Sequence, residues 1–181
     1  MQKTIVITGA GRDRVGIVAD LTNFLYKLGC NLLDSSMTLL RGEFALILMT
    51  TLPDGMTVAD IQGKLSELQQ KLSLSFSVRE LSPDEIAEQE DELFHYIISV
   101  YGADKPGIVA GITKDLAELG LNITDVQTKS VRQTAGEIYV MMLELSSKTE
   151  INADELQEKL GSFAKALGVD VSVREIEIME L

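Results

Sequence analysis

Two glycine-containing segments carry residues suited to binding a small anion. Each reads Gly-x-Asp-basic-x-Gly-Ile-Val and supplies an aspartate, a basic residue, a glycine and an isoleucine: Asp13, Arg14, Gly16 and Ile17 in the first copy, and Asp104, Lys105, Gly107 and Ile108 in the second. A helix that begins at such a segment offers unpaired backbone N–H groups and a partial positive charge, which suit a carboxylate. The glycine allows a small ligand to approach the backbone. Alternatively, the aspartates cap the helices and the glycines fit tight turns, which would leave no site.

A second repeated motif, Gly-x-Asn-x-x-Asp, stands at the head of an apolar strand pattern. It supplies Asn31 and Asp34 in the first copy, and Asn122 and Asp125 in the second. An amide and a carboxylate are suitable partners for a ligand's amino group. Asparagine also satisfies the turn that follows a helix. Both interpretations are compatible with the residues.

Other chemistries lack the residues they need. The run Gly9–Gly16 resembles a nucleotide loop, but Arg14 stands where a dinucleotide fingerprint needs a third glycine, and no Gly-Lys-Ser/Thr ends it. The single cysteine, Cys30, and the single histidine, His95, cannot form a Cys/His zinc site, and no nucleophile with a base recurs in the repeat. We therefore expect no catalytic residues, no metal and no cofactor, and a protein that is not an enzyme.

An internal duplication underlies the paired motifs. Between residues 7 and 34, 13 of 28 positions are identical to those 91 residues later. The offset grows to 95 near the end, where Ser-Val-Arg-Glu at 77–80 recurs at 172–175. The added residues fall between pattern segments, where loop insertions are tolerated.

Each copy shows the same order of periodicities. A β-rich run (4–8; 95–101) precedes a helix pattern that ends at Gly29 in the first copy, and two strands follow (about 31–40 and 43–52). A second helix pattern and a last strand from about Leu74 to Glu80 complete the unit. The order βαββαβ predicts an α+β, ferredoxin-like fold, with two helices on one face of an antiparallel sheet. We predict domains at 1–81 and 93–181, joined by an acidic linker at 82–92.

Two strand segments, 44–49 and 138–143, are apolar on both alternating sets of positions. Such strands need a partner on both faces or along an edge. We therefore expect the two halves to associate with each other, and the chain to form a homo-oligomer.

The charge distribution excludes some partners and suggests another. The 181 residues carry 16 basic and 28 acidic side chains, a net charge of −12, which argues against direct nucleic-acid binding. The first unit is neutral, whereas the linker and the second unit each carry −6. No stretch approaches the roughly 20 apolar residues of a membrane span, and the N-terminus lacks the apolar segment of a secretory signal, so we expect a cytoplasmic protein.

Together, the repeated Gly-x-Asp-[Arg/Lys]-x-Gly-Ile-Val and Gly-x-Asn-[Leu/Ile]-x-Asp motifs resemble tandem ACT domains over essentially the whole chain. Within that group, residues 29–35 and 41–44 are similar to the glycine cleavage system transcriptional repressor family. The resemblance implies regulatory domains that bind an amino acid at the loop between first strand and first helix, often across a domain pair. The ligand-binding residues would be the twelve motif residues named above. Val15 departs from the proline that Pro106 supplies in the second copy, which puts equal affinity at the two sites in doubt.

The resemblance further implies a non-catalytic sensor of a small amino acid, such as glycine, that acts on transcription through a protein partner, a transcriptional regulator. Two alternatives stay open on the sequence alone. One is a regulatory subunit of an amino-acid biosynthetic enzyme, although such subunits usually pair one ACT unit with a different C-terminal domain. The other is a structural interaction module with degenerate ligand loops.

Overall fold

The computed structural model describes residues 3–87, 94–133 and 136–176. The chain divides into two compact units, residues 1–89 and 90–181. The first unit contains β1 (Thr4–Arg12), α1 (Ile17–Lys27), β2 (Asn31–Leu40), β3 (Glu43–Thr51), α2 (Val58–Leu72) and β4 (Leu74–Glu80), followed by a short helix α3 (Pro83–Ala87). The second contains β5 (Phe94–Ala103), α4 (Ile108–Glu118), β6 (Asn122–Gln133), β7 (Gly136–Ser147), α5 (Ala153–Leu167) and β8 (Val169–Ile176).

Each unit is a four-stranded antiparallel sheet with two long helices, as the ferredoxin-like prediction requires. The strand orders are β2-β3-β1-β4 and β6-β7-β5-β8, so β2 and β6 are edge strands. Alternate residues of the strands pack against the helices and form one apolar core in each unit. The first core joins Ile5 and Ile7 of β1 to Leu21 of α1 and Ile61 of α2, each at most 1% exposed.

The first strand is longer than the pattern predicted. Residues 9–12 belong to β1 and pair with β3, whereas the sequence suggested a loop from Gly9 onward. The glycines are needed there because β4 lies close. A Cβ atom on Gly9 would lie 2.6 Å from Cε1 of Phe76, and one on Gly11 would lie 2.9 Å from the carbonyl oxygen of Ser73. The glycine run is explained by strand packing.

The turns and helix ends follow local chemistry. Arg41 and Gly42 both have positive φ, 50° and 86°, which suits a tight turn between β2 and β3. Gly29 follows the end of α1 with φ 77°, the left-handed conformation that terminates many helices. Thr57 forms a capping box with Asp60 at the start of α2, and the side chain of Asn152 caps α5.

The acidic connector predicted at 82–92 begins with the short helix α3. Glu85 of α3 accepts hydrogen bonds from the backbone of Ser82 and from the guanidinium of Arg79. These contacts lower the pKa of Glu85 to about 2. Residues 88–92 of the connector lie outside the described residues. In the described parts of the chain, no helix has the length and apolar character needed to cross a bilayer.

Candidate functional site

The helices α1 and α4 begin without a capping side chain. Gly16 and Gly107 hold their N-cap positions in the left-handed conformation, with φ 95° and 96°. No side chain hydrogen-bonds to either cap, in contrast to α2 and α5. The interpretation of Asp13 and Asp104 as capping residues is therefore wrong. The first-turn N–H groups of both helices have no intrahelical acceptor, and they remain available to an anion.

The basic residue of each motif contacts the C-terminal end of the unit's second long helix. Nη2 of Arg14 donates to the carbonyl oxygen of Lys71 at 3.1 Å. In the second unit, Nζ of Lys105 donates to the carbonyl oxygen of Leu167 at 2.7 Å. A cation at a helix C-terminus compensates the free carbonyl groups and the negative end of the dipole. Both residues thus anchor the loop that precedes α1 or α4.

An ion-pair network adds to this anchor in the first unit. Asp20 of α1 lies 3.8 Å from Nη2 of Arg14 and 3.0 Å from Nζ of Lys71. The backbone N–H of Asp13 donates to the carbonyl oxygen of Gly42 at 2.9 Å, which ties the loop to the β2–β3 turn. The loop that precedes the uncapped helix is therefore held from two sides. Such support favours a preorganised binding geometry.

The two aspartates of the repeated motif differ in their surroundings. Among the described residues, the carboxylate of Asp13 has no hydrogen-bond or ion-pair partner. Oδ2 of Asp104 accepts a hydrogen bond from Oγ of Ser130 at 2.6 Å. The equivalent of Ser130 in the first unit is Leu39, since each pairs with the aromatic residue opposite it on the next strand. A leucine side chain has no hydroxyl that could donate a hydrogen bond, which accounts for the different surroundings of Asp13 and Asp104.

The asparagine and aspartate of the second motif lie at the opposite end of each sheet. Asp34 pairs with Met49, whereas Arg12, beside the loop, pairs with Glu43. Six residues of β3 separate these two rows, about 20 Å at the rise of an extended strand. The register places Asn31 two residues further along, opposite Thr51. The structure therefore does not bring the two motifs of a unit together around one small ligand.

The second motif has the same local geometry in both units. A β-bulge lies between Leu32 and Asp34, and it recurs between Ile123 and Asp125. The register then directs Asp34, Asp125, Asn31 and Asn122 to the sheet face away from the helices. Oδ1 of Asp34 accepts from the N–H of Ser35 at 2.6 Å, and Oδ2 of Asp125 accepts from Nε2 of Gln127 at 3.2 Å.

The edge strand β2 is exposed along its whole length. All ten residues are exposed, and large apolar side chains are prominent among them: Leu32, Leu33, Met37, Leu39 and Leu40. An edge strand carries unpaired backbone groups that can pair with another strand. Apolar residues are also exposed on the sheet face away from the helices, for example Ile47 and Met142. Ile47 and Met142 belong to the two-sided apolar segments 44–49 and 138–143, whose association with a partner stays a prediction.

Sequence reasoning missed three residues near the second loop. Thr128 and Ser130 of β6 and Tyr139 of β7 lie on the face toward α4, because they occupy the register rows of buried β7 and β5 residues. The sequence does contain a sign of them, because the two copies of the repeat differ at these positions. The first unit has Met37, Leu39 and Phe44 there.

Cys30 and His95 have no partner set for catalysis among the described residues. Burial raises the pKa of the Cys30 thiol, which disfavours the reactive thiolate. His95 pairs with Ser146 and Ile176 within the sheet. No group of three or more His, Cys, Asp or Glu side chains in the described ranges could hold a metal ion.

Both halves of the chain match models of a known domain family. ACT domain models match residues 3–79 and 96–162. A UPF0237 protein of Methanopyrus kandleri is 38% identical over 82 residues, which are 45% of this chain and 88% of that protein. A UPF0237 protein of Streptococcus pneumoniae is 36% identical over 84 residues, which are 46% of this chain and 91% of that protein.

Two solved structures resemble the whole chain. An unknown protein from Galdieria sulphuraria has a TM-score of 0.79 and 27% identity, over 98% of this chain and 100% of that chain. A proposed glycine cleavage system transcriptional repressor has a TM-score of 0.72 and 21% identity, over 98% of this chain and 99% of that chain. At 21% identity the second likeness shows the fold alone.

Proposed function

Because the chain belongs to the ACT-domain family and carries two ACT domains in tandem, we propose that it is a non-catalytic regulatory protein that senses a small amino acid. The observation that carries the proposal is the pair of long helices that begin at an uncapped glycine. Gly16 and Gly107 adopt the same left-handed conformation, although their two loops differ in sequence. A geometry maintained in both units, with free N–H groups at its centre, suits a common ligand group.

The chemistry of the loops fits the two charged groups of a free amino acid. The ligand carboxylate accepts hydrogen bonds from the first-turn N–H groups at Ile17 or Ile108, assisted by the helix dipole. The ligand ammonium lies against Asp13 or Asp104. Arg14 and Lys105 support the site by holding the loop to the second long helix rather than by touching the ligand.

A thermal-shift panel of the twenty amino acids tests this function. A ligand at 100 times its Kd stabilises the folded state by about 2.7 kcal/mol, so a true ligand raises Tm measurably at millimolar concentration. Two controls are used. D-enantiomers of the chiral hits keep both charged groups and change only the stereochemistry, and acetate keeps the carboxylate but lacks the ammonium. If none of the twenty amino acids raises Tm, the proposed function is wrong.

The distance between the two motifs means that a ligand contacted by both would have to lie between two different units. Asn31, Asp34, Asn122 and Asp125 lie too far from the loop of their own unit to contact the same ligand. We propose that these residues bind the ligand offered by the loop of a second chain, with the exposed edge strands in the contact. The protein is then a homo-oligomer.

The mass in solution checks this arrangement. Light scattering during gel filtration is expected to give at least twice 19.8 kDa. Replacing Leu39 with lysine places a charge on the edge strand β2, and we expect it to weaken the oligomer because like charges would meet across paired edges. As the matched control, lysine at Gln70, an exposed position on α2, leaves the edge strand β2 unchanged. A monomeric parent protein would contradict the shared site.

The output proposed for the sensor is a contact with a regulator protein that modulates transcription, as the structural likeness to a proposed repressor suggests. The net charge of −12 opposes direct binding to phosphate and favours a basic protein surface. The acidic residues are concentrated in the linker and the second unit, so we place the contact there. Ligand binding would shift the chain between states with different affinity for that partner.

A further inference from the structure

The two units differ in the groove between the first helix and the edge strand, beside the proposed ligand. Strand register defines the equivalent positions. Phe44 pairs with Gly11 as Tyr139 pairs with Gly102, so these aromatic residues correspond. Thr128 likewise corresponds to Met37, because each pairs with the next buried residue along β7 or β3.

The groove of the first unit is apolar. It contains a small cavity of about 80 Å³ between α1, β2 and β3. Its lining is mostly aliphatic or aromatic, and its three hydroxyl groups belong to Thr22, Ser35 and Ser36. At the end nearest the β1–α1 loop the side chains are Met37, Leu39 and Phe44. This end offers no side-chain hydroxyl to a ligand held at the loop.

The corresponding end of the second groove carries three hydroxyl groups and a carboxylate. Oγ of Ser130 donates to Oδ2 of Asp104 at 2.6 Å. The hydroxyl of Tyr139 donates to Sδ of Met141 at 3.8 Å, and Thr128 is the residue that pairs with Met141 on the neighbouring strand. Burial is the main cause that raises the pKa of Tyr139, and the negative charge of Asp104 is the second. The phenol of Tyr139 therefore stays protonated at neutral pH.

These hydroxyls differ in exposure in a way that suits recognition. Tyr139 is 8% exposed, whereas Thr128, Ser130 and Asp104 are exposed beside it. The cluster thus has one buried hydroxyl, that of Tyr139, and three exposed polar side chains next to the uncapped end of α4. Oδ1 of Asp104 has no partner among the described residues, which leaves an acceptor for a ligand ammonium.

We infer that the second unit selects an amino acid with a hydrogen-bonding side chain, of the hydroxyl class, and that the first unit does not make this selection. The inference rests on the proposed function, since it assigns side-chain specificity to the same ligand. The side-chain hydroxyl of the ligand exchanges hydrogen bonds with Ser130 and Thr128. The ammonium of the ligand binds Asp104, and its carboxylate binds the start of α4. A site built to hydrogen-bond a hydroxyl disfavours an analogue that lacks it, because its polar groups then lose water without a replacement.

Calorimetric titration of the full chain with L-serine and L-alanine tests the inference, because these probes differ by one hydroxyl. We expect L-serine to bind at least about tenfold more tightly than L-alanine at the second unit. Installing first-unit residues, as Thr128→Met with Ser130→Leu, should reduce that ratio to within about twofold. Tyr139→Phe, which also installs the first unit's residue, should reduce the ratio in the same direction.

Lys129→Met is the matched control. It makes the same strand more apolar, but its position pairs with Val140 on the face away from α4. The serine-to-alanine ratio should stay as in the parent protein. Thermal unfolding of each variant confirms that it is folded.

The outcomes separate the two claims. If neither probe nor any other amino acid binds, the proposed function and the inference both fail. If amino acids bind but serine and alanine bind equally, the inference alone is overturned. An unchanged ratio after Thr128→Met with Ser130→Leu also overturns it, since the discrimination would then arise elsewhere.

Discussion

Replacing Gly102 with alanine should destabilise the second unit by about 1–3 kcal/mol, the range for overpacking a well-filled site. A Cβ atom there would lie 2.8 Å from Cγ1 of Val169, 2.9 Å from its Cα and 3.1 Å from the carbonyl oxygen of Gly168. Two of these atoms are backbone atoms, the Cα of the first residue of β8 and the carbonyl oxygen of the residue before it, so a rotamer change cannot relieve the contact. The β5–β8 pairing must shift instead, close to the loop that carries Asp104 and Lys105.

Chemical denaturation of the full chain measures the effect as a lower midpoint. Gly63→Ala is the matched control, because the same methyl group enters open space on the helix α2. That change should stabilise the first unit by about 0.5–1 kcal/mol, since alanine is the better helix former. A Gly102→Ala protein as stable as the parent would show that β8 does not approach β5 as closely as described.

Replacing Gly107 with alanine should weaken amino-acid binding at the second unit by tenfold or more. The N-cap holds φ 96°, where an L residue with a side chain is strained by about 1–2 kcal/mol. Relief of that strain rotates the peptide that leads into α4 and redirects the N–H groups proposed to bind the carboxylate. Gly16→Ala is expected to have the same effect in the first unit.

The control for Gly107→Ala is alanine at the other end of the same helix. Gly120 also has a positive φ, 74°, and a Cβ atom there also meets nothing within 4 Å. Gly120→Ala therefore carries a similar backbone cost far from the loop. Titration with glycine, L-alanine and L-serine should show weaker binding for Gly107→Ala and parental binding for Gly120→Ala. Equal affinities of the two variants would contradict the role of the uncapped helix.

The repeat and its periodicities were sufficient to predict the fold. The fold was predictable from local properties: the helical spacing of apolar residues, turn residues such as Arg41 and Gly42, and the order of segments. Because the same order of segments occurs twice, few folds are compatible with it. The extent of β1 was missed because Gly9 and Gly11 are typical of loops. Their presence in a strand reflects close contact with β4, a contact between segments more than 60 residues apart.

The residue types of the candidate site were predictable from the sequence, but which of those residues lie close together was not. The loop motifs placed the glycines Gly16 and Gly107 at a helix N-terminus, and the structure has them as the N-cap residues of α1 and α4. The sequence could not say whether Asp13 and Asp104 cap those helices, because a capping aspartate and a ligand-binding aspartate have the same spacing. Backbone geometry at the glycines decided it.

By itself, the sequence determined two βαββαβ units and the positions of their repeated loops, because those depend on local pattern and on repetition. The tertiary structure alone decided which side chains meet. Strand register separates Asn31 from the loop of its own unit by most of the sheet's length, and it brings Ser130 within 2.6 Å of Asp104, 26 residues away in the chain. Register depends on the packing of whole sheets against helices, and a one-residue change would turn each side chain to the other face.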